Sequence, residues 1–147
     1  ASDVYKRQVL LKDTTIIKVM DQDDLSDQEM AEYRNNGIHI LSKRNLESYL
    51  LDDSVIEKLC ISVGKPDKIA ECLQKKQDAL SGSIARGNPS DDLKSARGDI
   101  YTSLKKILGL TQCGNKPDSF LRDTMAPLIT PDMEIYKQLE RDIFGDN

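Results

Sequence analysis

The spacing of apolar positions changes partway along the chain. Between residues 15 and 41 they come in short β-branched runs. Thr15-Ile16-Ile17-Lys18-Val19-Met20 is the first, and it stops abruptly at Asp21-Gln22-Asp23-Asp24. A near-continuous run of this kind predicts a buried strand, with acids at its C-terminal end. Ser26-Asp27-Gln28-Glu29 is a capping box: the Ser26 hydroxyl accepts from the Glu29 amide while the Glu29 carboxylate reaches back. It predicts a helix running to about Asn36, which Gly37 ends. Ile38-His39-Ile40-Leu41 reads as a second strand. A strand–helix–strand unit favours parallel pairing with a right-handed crossover. Open α/β sheets place ligands at the C-terminal ends of their strands.

From Ser42 onward the spacing is helical. A short turn over Asn45 to Leu51 leads to a helix starting at Asp53 or Ser54, where Ser54-x-x-Glu57 repeats the capping-box pattern. Pro66 opens the next helix, with Ile69, Leu73, Leu80 and Ile84 on its inner face and Gln74, Lys75 and Lys76 turned outward. Gly82, Gly87 and Pro89 mark a loop. Ser90 is the expected cap of a helix whose Leu93, Ala96, Ile100, Leu104 and Ile107 recur every three or four residues. A loop from Gly109 to Pro117 precedes a short helix from Pro117 to about Ala126. Thr130-Pro131-Asp132 opens the last helix, with Met133, Tyr136, Leu139 and Ile143 as its buried stripe and Gly145 closing it. No internal repeat or low-complexity stretch interrupts these elements.

Composition narrows the function classes. The 147 residues, 38% hydrophobic and 31% charged, suit one globular domain with a real core. No apolar run approaches the roughly 20 residues a membrane span needs, so no membrane partner is expected. A net charge of −4 argues against a nonspecific basic nucleic-acid binder, leaving DNA contact to a local basic patch or to bridging metal ions. Three cysteines, Cys60, Cys72 and Cys113, with no C-x-x-C, read as a reduced cytoplasmic chain rather than a disulfide scaffold. A single histidine, His39, excludes His-rich zinc sites and leaves little room for a His-based triad.

Candidate chemistry concentrates after the two strands. Asp21-x-Asp23 follows the first directly; residues two apart in extended backbone project the same way and can hold one hard divalent cation between two carboxylates, with Asp24 as a third acid. An Asp-rich turn leading into a helix explains the same residues through Asx turns and the helix dipole, and both readings stand. An EF-hand is excluded, because its loop Gly and terminal Glu are absent at the required spacing. Glu47 lies past the end of the second strand, near Asp21 and Asp23 on the same sheet edge; an ordinary first-turn glutamate is the plainer account. Lys43 and Arg44 offer positive charge for a phosphate, or simply form a solvated pair. Gly109-Leu110-Thr111-Gln112-Cys113-Gly114-Asn115-Lys116 nearly spells a phosphate-binding loop, but Asn115 intervenes, Pro117 replaces the Ser or Thr, and no strand precedes it. His39, flanked by Ile38 and Ile40, belongs to the polar face of its strand.

The stretch from Val19 to Asp24, the capped helix, and Gly37 through Ile38-His39-Ile40-Leu41-Ser42-Lys43-Arg44-Asn45-Leu46-Glu47-Ser48-Tyr49-Leu50-Leu51 together resemble the second half of a Toprim domain. The resemblance is to the overcoming-lysogenization-defect family of ATP-dependent endonucleases, related to ABC-type AAA ATPases, and it covers about residues 15 to 63. It implies an α/β fold with a partial Toprim-like parallel sheet over 9–63, followed by a mainly helical C-terminal region over 64–147. It implies Mg²⁺ or Mn²⁺ at Asp21 and Asp23, a catalytic contribution from Glu47, and a later basic residue for which Lys94, or Arg97, is the candidate. DNA is the implied partner, in a prokaryotic and phage-defensive setting. ATP and homo-oligomerisation would enter only through an N-terminal ATPase domain that this chain lacks. The family's acidic residue on the first Toprim strand has no counterpart upstream of Asp21. Ala1-Ser2-Asp3-Val4-Tyr5-Lys6-Arg7-Gln8 in turn resembles the translation of a transposase mosaic-end sequencing adaptor, so residues 1–8 are expected to be a non-native tail and the remainder a C-terminal fragment. Alone, that fragment is expected to bind metal weakly and cut DNA poorly. The competing expectation is a non-catalytic interaction module that docks a partner through apolar faces.

Overall fold

The computed structural model describes residues 16–145. The expected tail at 1–8, residues 9–15 and the Thr15 end of the first strand lie outside the described residues. The strand–helix–strand unit is present. Strand β1 (Lys18–Met20) pairs in parallel with β2 (Ile38–Ile40), in the register Lys18 to Ile38, Val19 to His39 and Met20 to Ile40. Between them runs helix α1 (Asp27–Asn35), and both halves of its capping box form: the Glu29 amide donates to Ser26 Oγ and the Ser26 amide to Glu29 Oε1. Gly37 then turns the chain at φ 78°, backbone that a side chain resists.

β1 is exposed rather than buried. Ile16 is 67% and Val19 41% accessible, because among the described residues the sheet has one neighbouring strand and nothing covers that face. The buried end of the unit is β2, where Ile40 and the following Leu41 turn inward.

The rest of the described chain is helical. Helix α2 (Glu47–Leu50) is one turn, followed by α3 (Asp53–Ser62). Asp52 caps α3 rather than Ser54: its Oδ2 accepts from both the amide and the hydroxyl of Ser54, so the serine donates where a cap would accept. A 3₁₀ turn over Pro66–Lys68 leads into α4 (Ile69–Ala85). The next helix, α5 (Leu93–Leu108), is capped by Asp92 and not by Ser90. Pro89 sets a turn there, its carbonyl taking the Asp92 amide, and this delays the helix by two residues. Leu93, Ala96, Ile100 and Leu104 form the buried stripe of α5, while Gly109 ends it in left-handed backbone at φ 63°.

Helix α6 (Pro117–Phe120) continues through a π turn over Leu121–Met125 into a 3₁₀ turn over Ala126–Leu128. Pro127 has no N–H for the carbonyl four residues back, which accounts for the widened turn before it. Helix α7 (Glu134–Phe144) starts later than Thr130-Pro131-Asp132, since Thr130 Oγ1 donates to Asp132 and the Met133 amide to the Thr130 carbonyl, closing a separate turn. On α7 the buried residue is Ile135; Met133, Tyr136, Leu139 and Ile143 are only half-buried.

On α4 the predicted face is displaced. Cys72, Lys76, Ala79 and Ser83 are buried, Leu73 and Leu80 flank them, and Ile84 is exposed. Lys76, expected outside, ends in an ion pair with Asp53 at 2.8 Å. A single cluster joins Leu41, Tyr49, the inner faces of α3, α4 and α5, Phe120, Met125 and Ile135. The cluster runs across the expected boundary at residue 63, with helices on both sides of it. Cys60, Cys72 and Cys113 are free and buried. Burial and the adjacent Cys60 thiol push Cys72 up to about 12, as suits inert packing thiols. Among the described residues no helix is long and apolar enough to cross a membrane.

Candidate acidic site at the strand ends

Parallel pairing carries the ends of β1 and β2 to the same edge, and the two following loops meet there. Leu41 donates its amide to the Met20 carbonyl, extending the register. Asp21 then turns toward the second loop, its Oδ1 accepting the Leu46 amide at 3.2 Å. Asp23 stands in left-handed backbone, φ 41°, where short polar side chains are tolerated, and donates its amide to the Arg44 carbonyl at 2.8 Å. Burial and the Asp23 charge raise the Asp21 carboxyl above its ordinary range, against the opposing Leu46 hydrogen bond and the Lys94 charge.

The extended Asp21-x-Asp23 spacing expected to project both acids the same way is not kept, because Asp23 sits exposed in a left-handed turn while Asp21 turns to Leu46; the charges of Asp23 and Lys94 are both felt at Asp21. Lys94 lies in the first turn of α5, exposed, with its charge felt at Asp21. Glu47 begins α2 beside this edge, but it is the Leu46 backbone that meets Asp21. Among the described residues no three His, Cys, Asp or Glu side chains form a group able to hold a metal ion. A hydrated hard cation such as Mg²⁺ keeps several waters and takes one or two carboxylates, which is all that this edge offers. Arg97 is engaged elsewhere, paired to Asp118 at 2.9 Å. The near-phosphate loop at 109–116 follows a helix, as expected of a decoy, and His39 is half-buried in mid-strand.

Arg44, expected to offer charge to a phosphate or to form a solvated pair, is instead engaged by two carboxylates, and it organises the edge together with Asn45 and Asp92. Arg44 donates from Nη1 to Asp24 and from Nε to Asp91, both at 2.7 Å. These carboxylates hold its guanidinium still more firmly protonated. Asn45 is 1% accessible; its Oδ1 accepts the Ser48 amide and hydroxyl, and its Nδ2 faces Asp92 at 3.5 Å. Asp92 in turn accepts from the amide and hydroxyl of Ser95. Burial works to raise Asp92, but the Ser95 bonds, the Arg44 charge and Asn45 outweigh it and hold the carboxyl below the ordinary range. The Asp91-Asp92 doublet was the sequence signal for this junction. Its partners lie 47 positions away, beyond any local pattern. Beside Arg44 a cleft of about 440 Å³ opens between the β2 loop and helices α4 and α5, lined with charges of both signs, including Lys43, Lys76, Asp52 and Asp91.

No family model, curated protein or solved structure matches the chain.

Proposed function

We propose that the chain carries the acidic, cation-holding part of a Toprim-type, metal-dependent DNA endonuclease, whose ATPase would lie N-terminal to it. The observation that supports this best is that the acid turn after β1 is bound to the β2 loop at one sheet edge, Asp21 through the Leu46 amide and Asp23 through the Arg44 carbonyl, within reach of the Lys94 charge from α5. A divalent cation there would supply charge stabilisation at a phosphodiester. Asp21 and Asp23 would hold it, and Lys94 would bring an ammonium suited to a phosphate oxygen. Glu47 borders the same edge.

With two acids the affinity is low. Mn²⁺ titrated into the 147-residue chain is expected to broaden backbone resonances around Asp21 and Asp23 at millimolar concentrations, and D21N/D23N to remove the effect. Plasmid nicking by the chain alone is expected to be negligible. Robust Mg²⁺-dependent nicking would contradict the fragment reading, and broadening that survives D21N/D23N would contradict the site. Source DNA upstream of codon 9 is expected to continue the frame into a glutamate-bearing strand and an ATP-binding domain.

A second reading, a non-catalytic interaction module, draws on the exposed Val19 of β1 and the exposed Ile16 and Ile17 just before it. It predicts that D21A and D23A leave the function of the longer protein unchanged.

A further inference from the structure

The acid turn after β1 and the N-terminus of α5 are separated by about 70 residues of chain, yet one side chain touches both. The Arg44 side chain is 15% accessible, and its two donors reach Asp24 on one side and Asp91 on the other, each at 2.7 Å. Its carbonyl takes the Asp23 amide at 2.8 Å, so the residue grips the turn by backbone and by side chain. The next residue, Asn45, extends the contact to Asp92, the cap of α5. Lys94 follows directly in that helix and makes no ion pair among the described residues.

We infer that Arg44 is a positioning residue for the acidic site, tying the Asp21–Asp24 turn to the start of α5, the helix that carries Lys94, so that Asp23 is oriented. This rests on the cation-site reading above and adds the device that assembles the site. Asp24 and Asp91 are 86% and 61% accessible at their side chains, and taken singly such pairs contribute little. Their convergence on one shielded guanidinium is different, because a planar fork addresses two carboxylates in fixed directions. An ammonium has the charge without the fork.

Charge and position have opposite consequences. A positive charge beside two acids weakens cation binding, so Arg44 acting only by its charge makes R44Q bind Mn²⁺ more tightly and leaves R44K unchanged. Arg44 acting by position makes both variants weaker, by about tenfold, as for residues that orient metal ligands.

The experiment measures Mn²⁺ affinity by electron paramagnetic resonance and amide hydrogen exchange by NMR on the full 147-residue chain, for wild type, R44K, R44Q and D91N. Expected are weaker Mn²⁺ binding in R44K and R44Q, faster exchange at the Asp23 and Leu46 amides, and a melting temperature still set by the helical core. D91N, which leaves the Asp24 contact in place, is expected to speed exchange at Ser95 more than at Asp23. Unchanged affinity in R44K, or tighter binding in R44Q, with unchanged exchange at Asp23 and Leu46, overturns the inference. If wild type shows no Mn²⁺ effect at Asp21 and Asp23, the cation reading fails on its own. The tie is then decided by exchange alone: faster at Asp23 and Leu46 in R44K supports it, and unchanged rates sink it.

Discussion

Asp21 and Asp92 stand on neighbouring loops and depart from the ordinary carboxylate range in opposite directions. Asp21 is raised by burial and by Asp23, so its contribution to stability is fullest below its unfolded pKa and is lost as pH rises through the folded one. Its charge works against folding at neutral pH, which a bound cation would offset. Asp92 is lowered despite its burial, through Ser95, Arg44 and Asn45, so its contribution is present above the ordinary pKa of about 4 and lost as pH falls through the depressed value. Asp92→Ala removes the cap of α5 and a partner of Asn45, and is expected to cost about 1–2 kcal/mol at pH 7. Urea unfolding at pH 7 and near pH 3 checks this. The gap between variant and wild type should narrow in acid, as wild-type Asp92 begins to take up its proton, and a gap independent of pH would contradict the assignment. Ser26 was legible as a cap because its partner Glu29 is three residues away. Asp92 bonds Ser95 over the same three-residue spacing, but the turn at Pro89 that moves the start of the helix from Ser90, and the contact with Asn45 across the fold, have no local signature.

Among the helices, α5 was legible in its stripe, and α4 was misplaced by a fraction of a turn. Large apolar residues mark where a helix touches a broad core, and Leu93, Ile100 and Leu104 did so for α5. On α4 the residues at closest approach are small, Cys72, Ala79 and Ser83, with Lys76 between them. A hydrophobicity pattern weights Leu73, Leu80 and Ile84 instead and points the face slightly away from its contact. The consequence is a lysine whose stem lies in the helix interface and whose ammonium emerges at Asp53; the Lys76 side chain is 10% and that of Asp53 57% accessible. Lys76→Met keeps the stem volume and removes the desolvated charge, so chemical denaturation should show stability unchanged or higher. Asp53→Asn leaves the ammonium without its partner, and should cost about 1–2 kcal/mol. Equal losses in both variants would mean that the ion pair, not the stem, holds the two helices.

For the whole molecule, the small parallel sheet and the helical body are joined unequally. Parallel pairs normally persist with both faces covered, and a two-stranded sheet alone is marginal in water. Here β1 keeps Val19 41% accessible, while β2 is anchored through Ile40, Leu41 and the loop that α7 holds by Asp142, which accepts from the Ser42 amide and hydroxyl and from Tyr49. The order of elements was legible because each carries its own punctuation, but the exposure of β1 was not, since β-branched runs look alike whether or not a neighbour covers them. Local opening follows buried apolar contact, so β1 should open far more readily than the body. Native-state hydrogen exchange by NMR is expected to find β1 amides exchanging at least about a hundredfold faster than those of Ile100 and Leu104 in α5, a difference of about 3 kcal/mol in opening free energy. Exchange at Leu41, whose amide bonds the Met20 carbonyl, should follow β1 rather than the core in which its side chain is buried. Equal protection of β1 and α5 would mean that the strand pair folds as one unit with the helices, and that the exposed edge of β1 is stable with no further strand beside it among the described residues.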